Sequence, residues 1–209
     1  MPEYHKYVFD TSARQFVGKF EEMYRAEDAD EFDSWHQENL THISKRIALA
    51  LLGVLNFDRV IDFGCGKGNF TQLLRKLNNS VVGVDISDQA LKKAATRFPE
   101  ITWKQGRVED ARKIASDMGW QHTDLVVLME VLSYVENWKE ILRDLAGITK
   151  WVFVSLYIPE NPIGFIKSAD DLLSVTRQYF EPLDEFVSPN HQCLYWLGKS
   201  RELNSQGEK

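Results

Sequence analysis

The chain's 209 residues, 44% hydrophobic and 27% charged, suit one α/β domain with a sizeable core and a small appendage. A formal net charge of −6 lacks the basic footprint of a nucleic-acid binder, so no nucleic-acid partner is expected. Two cysteines, Cys65 and Cys193, with no C-x-x-C or Cys/His cluster, fit a reducing compartment and no metal site, and no apolar run reaches the roughly eighteen residues of a membrane span.

The N-terminus, Met1 to Lys6, has no apolar core of a secretory signal, which together with the composition leads us to expect a soluble, cytoplasmic protein. Ser12 and Gln15 have capping-box spacing, and Phe16, Phe20, Met23 and Tyr24 form a helical stripe to about residue 26. An acidic, irregular stretch from Glu27 to Asp33 follows. Asp33 or Ser34 is then placed to cap a helix in which Leu40, Ile43, Ile47, Leu51 and Val54 keep helical spacing. Residues 1–58 read as a helical cap segment, which either covers one face of a sheet or lids a site.

Arg59 to Phe70 reads Arg-Val-Ile-Asp-Phe-Gly-Cys-Gly-Lys-Gly-Asn-Phe. An apolar strand ends beside Asp62, glycines follow at Gly64, Gly66 and Gly68, and a helical face of Phe70, Leu73, Leu74 and Leu77 comes next. Glycines let the main chain turn sharply and approach a ligand closely, as nucleotide sites require. A dinucleotide turn would hold a glycine where Asn69 stands, and no Gly-Lys-Ser/Thr closes a phosphate loop. From here strands alternate with helices: strands at Arg59–Phe63, Ser80–Asp85, Ile101–Gln105, Asp124–Met129 and Trp151–Tyr157, helices near 69–78, 88–98, 109–118 and 137–148. That alternation gives βαβ units and a mostly parallel sheet covered on both faces. After a helix near 169–179, Phe180–Ser188 and His191–Lys199 read as an antiparallel hairpin about Ser-Pro-Asn. The main domain is placed at 59–199, and the polar residues 200–209 as a flexible tail.

The Asp-x-Gly-x-Gly-x-Gly pattern resembles motif I of the class I S-adenosylmethionine (SAM) methyltransferases, and the parallel sheet ending in a hairpin resembles their seven-stranded Rossmann-like fold. The resemblance covers roughly residues 40–200 and implies SAM as cofactor, with S-adenosylhomocysteine (SAH) as product. Its expected contacts include Asp62, Gly64, Cys65, Gly66 and Gly68. Asp85 ends the next strand, twenty-one positions after Gly64, where a carboxylate accepts hydrogen bonds from ribose hydroxyls or else caps the following helix. Ile86 would lie against adenine. Val108 and Glu109 would flank it, or else form an acid-rich helix start; Arg107 departs from the family by standing where an acid is frequent. Met129-Glu-Val-Leu-Ser-Tyr134 resembles motif IV of small-molecule methyltransferases, with Met129 and Glu130 beside the reactive methyl and Tyr134 where many relatives carry His. The Glu-Val-Leu-x-Tyr segment and the length are most like those of the NodS-like methyltransferases. No Asp/Asn-Pro-Pro-Tyr or acidic metal cluster is present.

The resemblance thus implies methyl transfer to an N or O atom of a small molecule, with a sugar or glycan end among the acceptors. A hydroxyl acceptor needs a general base, and the candidates are His36, Glu130, Tyr134 and His191. Tyr7, Trp35, Tyr134 and Tyr157 are aromatics that either stack an acceptor or pack the core. A protein methyltransferase and a catalytically silent SAM-binding regulatory or scaffold protein are the alternatives. Oligomeric state is not read from the sequence.

Overall fold

Val60, Ile61, Val82, Val84, Val126, Val127 and Leu128 are all fully buried, so side chains on both faces of these strands leave water, as parallel strands sandwiched by helices require. A computed structural model describes residues 4–27, 29 and 31–204. Positions 28 and 30 of the acidic stretch and 205–209 of the expected tail lie outside the described residues. In chain order come α1 (His5–Val8), β1 (Phe9–Asp10), β2 (Gln15–Phe16), α2 (Phe20–Ala26), α3 (Ile43–Leu52), β3 (Arg59–Phe63), β4 (Ser80–Asp85) and α4 (Asp88–Arg97). They are followed by β5 (Thr102–Gln105), α5 (Ala111–Asp117), β6 (Thr123–Met129), α6 (Trp138–Ala146), β7 (Thr149–Tyr157), α7 (Ala169–Tyr179), β8 (Phe180–Ser188), β9 (Cys193–Ser200) and α8 (Arg201–Asn204).

The sheet order is β5-β4-β3-β6-β7-β9-β8, with β3 to β7 parallel and β8 and β9 antiparallel. The seven-stranded fold is therefore the one expected. Asp62 pairs with Gly83 on one side and Val127 on the other. The chain reverses its direction of travel across the sheet between β3 and β6, and ligands of open α/β sheets sit at the carboxyl ends beside that reversal. One face is covered by α5, α6 and α7 through Ile114, Leu142 and Leu172, the other by α3 through Ala48 and Leu52. A third, smaller core joins Tyr4, Val8, Met23 and Tyr24 to Ala90 of α4. The N-terminal segment is thus divided: α3 covers the sheet, and residues ahead of it form an aromatic cluster against α4 and Tyr134. No helix of the described residues is long and apolar enough to cross a membrane.

Four local expectations are corrected. Ser12 caps nothing, because Asp10 Oδ1 accepts the N–H groups of Ser12 and Ala13 and Arg14 takes φ +51°, turning the chain into a hairpin that pairs Phe9 with Phe16. The α-helix at 69–78 is only a 3-10 turn, Thr71–Leu74. Asn79 ends it by accepting the Lys76 N–H and donating to the Leu74 carbonyl, which leaves Leu77 98% exposed. Helix α3 begins later than expected and is capped by the His42 ring, which accepts from Ser44 N–H, so Leu40 falls outside it. The tail is not loose at its start: Ser200 is buried, its hydroxyl donating to the Ala146 carbonyl at 2.6 Å, and α8 continues to Asn204.

Candidate active site

A cavity of about 730 Å³ opens at the carboxyl ends of β3, β4 and β6. Its floor is the glycine turn, where Gly64, Gly66 and Gly68 all have positive φ, between +54° and +79°. The backbone could not follow this path with side chains in place: a Cβ on Gly66 would strike Gln37 and Tyr24, which descend from the N-terminal segment. The turn is fastened to β4 by the Cys65 N–H donating to the Val84 carbonyl and the Gly66 N–H donating to Asp85 Oδ2 at 2.9 Å. Asp85 Oδ1 accepts the Ser87 N–H at 2.9 Å, while the cap of α4 is the Ser87 hydroxyl itself, which accepts from Ala90 N–H. Asp85 therefore has no capping duty and faces the cavity with acceptor sites to spare.

Two buried carboxyl groups, Asp62 and Asp85, line this cavity and accept hydrogen bonds from uncharged donors only, among the described residues. Asp62 is pushed up from 3.8 to about 7 by burial, opposed by the Thr71 hydroxyl that donates to it at 2.6 Å and reinforced by Asp85. Asp85 is raised to about 6, again by burial, against the lowering pull of the Ser87 and Gly66 N–H groups. A ligand carrying positive charge would restore the ionised forms of both. An adenosyl sulfonium with an α-ammonium group fits this pair, and Ile86, Val108 and Glu109 line the same cavity toward β5.

The other half of the cavity is aromatic. Phe16, Phe20 and Trp35 enter from the N-terminal segment, Tyr134 from the turn after β6, and Phe165 from the loop before α7, where its N–H donates to the Ser133 carbonyl. Phe16 and Tyr134 stack with ring centroids 5.6 Å apart, and the Trp35 indole N–H donates to the Tyr134 hydroxyl at 3.3 Å. Between the halves stand Met129 and Glu130. Glu130 has φ +59°, a strained conformation for this residue that places its carboxylate back over β7. There it accepts the Tyr157 N–H at 2.7 Å and the Ser155 hydroxyl at 3.2 Å. Burial raises its pKa, which those two donors oppose. Glu130 caps no helix.

The cavity collects Asp62, Gly64, Cys65, Asp85, Ile86, Val108, Glu109, Met129, Glu130 and Tyr134. Gly66 and Gly68 support it from behind: Gly66 against the N-terminal segment, Gly68 under the Trp103 ring. Two expected bases are elsewhere. The His36 ring lies against His42, centroids 6.1 Å apart, and His191 sits exposed in the turn between β8 and β9; neither lines the cavity. Tyr7 and Tyr157 also stay outside it. Sequence reading passed over Lys67, Gln37 and Phe165. The first two carry no signal in a linear motif, because only the fold brings residues 37 and 67 together.

Residues 61–150 match a family described as "Methyltransferase domain". The ubiquinone biosynthesis O-methyltransferase of Bordetella avium is 29% identical over 147 residues, covering 67% of this chain and 60% of that protein. Its matched part is thus under two thirds of the relative's own length. A SAM-dependent methyltransferase of Anabaena variabilis superposes with a TM-score of 0.69 at 17% identity, over 87% of this chain and 93% of that one. The N-methyltransferase NodS of Bradyrhizobium japonicum superposes with 0.60 at 16% identity, over 81% and 99%.

Proposed function

We propose that this chain is a class I SAM-dependent methyltransferase, a reading its matched domain and its fold support, and that it transfers a methyl group from SAM to an oxygen or nitrogen atom of a small molecule. The observation that carries this reading is the single cavity joining the two unpaired buried carboxyls and the glycine turn to an aromatic chamber, with Glu130 at the junction. When bound, SAM supplies a methyl group on a sulfonium centre that departs as a neutral thioether. Asp85 would hold its ribose hydroxyls, Asp62 and the backbone of Gly64 its amino-acid end, and Ile86 and Val108 its adenine.

The chain's own residues then have three tasks. The aromatic walls hold the acceptor's body and keep water out, and fixing two reactants side by side can supply several kcal/mol of a barrier. Glu130 receives the proton from the accepting hydroxyl or ammonium group, and its raised proton affinity suits it better to this than an ordinary surface carboxylate. Ser155 and Tyr157 fix the direction of its carboxylate. A small acceptor with a flat or apolar body and one hydroxyl or amine fits these walls; a sugar or glycan end would bind through its C–H face. The O-methyltransferase name of the Bordetella relative and the N-methyltransferase name of NodS support both accepting atoms.

The test is transfer of labelled methyl from SAM into a metabolite extract and, separately, into a protein extract. Label in a small-molecule fraction is the expected result, falling about 10²–10⁴-fold in Glu130→Gln. Label confined to protein would make it a protein methyltransferase. SAM binding with no labelled product in either extract would make the chain a silent cofactor-binding subunit.

A further inference from the structure

Lys67 stands inside the glycine turn, where a cation would be expected to reach toward a ligand. It turns the other way. Its side chain is 5% exposed, and Nζ lies 3.1 Å from Glu27 Oε1, 2.8 Å from Asp33 Oδ1 and 3.5 Å from Glu38 Oε1. All three carboxylates belong to the N-terminal segment. Glu27 is itself buried and is met by Lys93 at 3.2 Å and by the Ser34 N–H and hydroxyl at 2.9 and 2.6 Å, while Glu38 is met by Arg97 at 2.9 Å. The backbone is tied as well: the Lys67 N–H donates to Gln37 Oε1 at 2.8 Å, and the Gln37 amide donates to the Tyr24 hydroxyl. Farther along, the Ser87 hydroxyl donates to Glu21 Oε2 at 2.7 Å, two residues past Asp85.

We infer that Lys67 is a positioning residue that latches the N-terminal segment onto the cofactor turn, so that cofactor enters and leaves only when this ion cluster opens. The inference rests on the methyl-transfer reading for the identity of the cofactor, but not for the latch itself. Its physical basis is that the segment bearing Phe16, Phe20, Tyr24 and Trp35 walls the cavity, while the charges fixing it sit behind the turn, away from the ligand. A buried ammonium with three carboxylates from one segment loses all three at once if that segment lifts, which makes lifting slow. The same contact explains why the middle glycine is needed: Gln37 and Tyr24 fill the space a side chain at position 66 would take.

The test uses Lys67→Met, the conservative Lys67→Arg, and Asp33→Asn, whose altered partner is partly exposed and so less costly to the fold. Two readouts are taken on the full chain: the dissociation rate of SAH, and amide hydrogen exchange without ligand across residues 20–38 and across β3. In Lys67→Met, SAH should leave at least about tenfold faster, and residues 20–38 should exchange at least about tenfold faster with β3 unchanged. Lys67→Arg should restore most of both, and Asp33→Asn should fall between. Unchanged dissociation and unchanged exchange in Lys67→Met and Asp33→Asn would overturn the latch. So would exchange that rises equally in β3, because it would mark a general loss of stability. Should the wild-type protein bind no SAH at all, the methyl-transfer reading fails while the exchange comparison still decides the latch.

Discussion

Replacing Asp62 by asparagine isolates the charge that the fold buries beside the glycine turn. The carboxyl is 2% exposed, and its proton affinity is raised from 3.8 to about 7, first by burial and then by Asp85. Its folded pKa lies above its unfolded value, so between these limits the folded state holds more protons and stability falls as pH rises, levelling off above about pH 7. Each pH unit in that window costs about 1.4 kcal/mol. From about pH 5 to about pH 8 the wild type crosses roughly two such units, so Asp62 alone should cost about 3 kcal/mol over the range. The substituted amide cannot ionise, yet its carbonyl still accepts from the Thr71 hydroxyl. Whatever constant offset it brings, the stability gap between variant and wild type should move by about 3 kcal/mol in the variant's favour. Urea unfolding followed by circular dichroism at three pH values measures that movement. Parallel stability curves would refute the reasoning, since they would mean Asp62 is already neutral or already compensated across the range.

Gly66→Val should leave a folded circular-dichroism spectrum but weaken SAH binding at least tenfold, because the branched side chain displaces Gln37 and Tyr24 and strains a φ of +54° by about 1–2 kcal/mol; calorimetry reads the loss, and normal affinity would mean the turn tolerates side chains. Leu77→Glu should change unfolding free energy by less than about 0.5 kcal/mol, since the leucine is in solvent rather than on a buried helical face; a loss above about 2 kcal/mol would restore the helix expected from the sequence. SAM affinity should rise between about pH 5.5 and pH 7.5 as Asp62 and Asp85 shed their protons to meet a cationic ligand; a flat calorimetric profile would contradict the pairing.

The sheet was legible because burial on both faces writes itself as unbroken apolar runs such as Val81-Val82 and Leu125-Val126-Val127-Leu128, and each strand appears within two residues of its expected place. The cavity-facing acids were legible for a related reason: a parallel sheet puts its clefts at strand ends, so Asp85 and Glu130 are found by counting to the end of a run. The apolar stripe 70, 73, 74, 77 misled because spacing cannot report that Asn79 stops the turn four residues into it. Ser12 and Gln15 misled because the competing Asp10 carboxylate captures the local N–H groups first. His36 and His191 were drawn in by residue type, and His36 also by following Trp35 in the N-terminal segment, and neither type nor a sequence neighbour reports distance. The N-terminal segment's contacts with the turn were beyond reading, since Lys67 and its carboxylates are separated by 29 to 40 positions.

The most direct measurement is calorimetric titration of SAH into the wild-type protein and into Asp85→Ala at about pH 7.5. Binding by the wild type, weakened about tenfold to several hundredfold when the carboxylate is removed, is the expected result, given the loss of charge-assisted hydrogen bonds at a buried site. No heat from the wild type, or the same affinity in both proteins, would contradict the placement of an adenosyl ligand at the ends of β3 and β4.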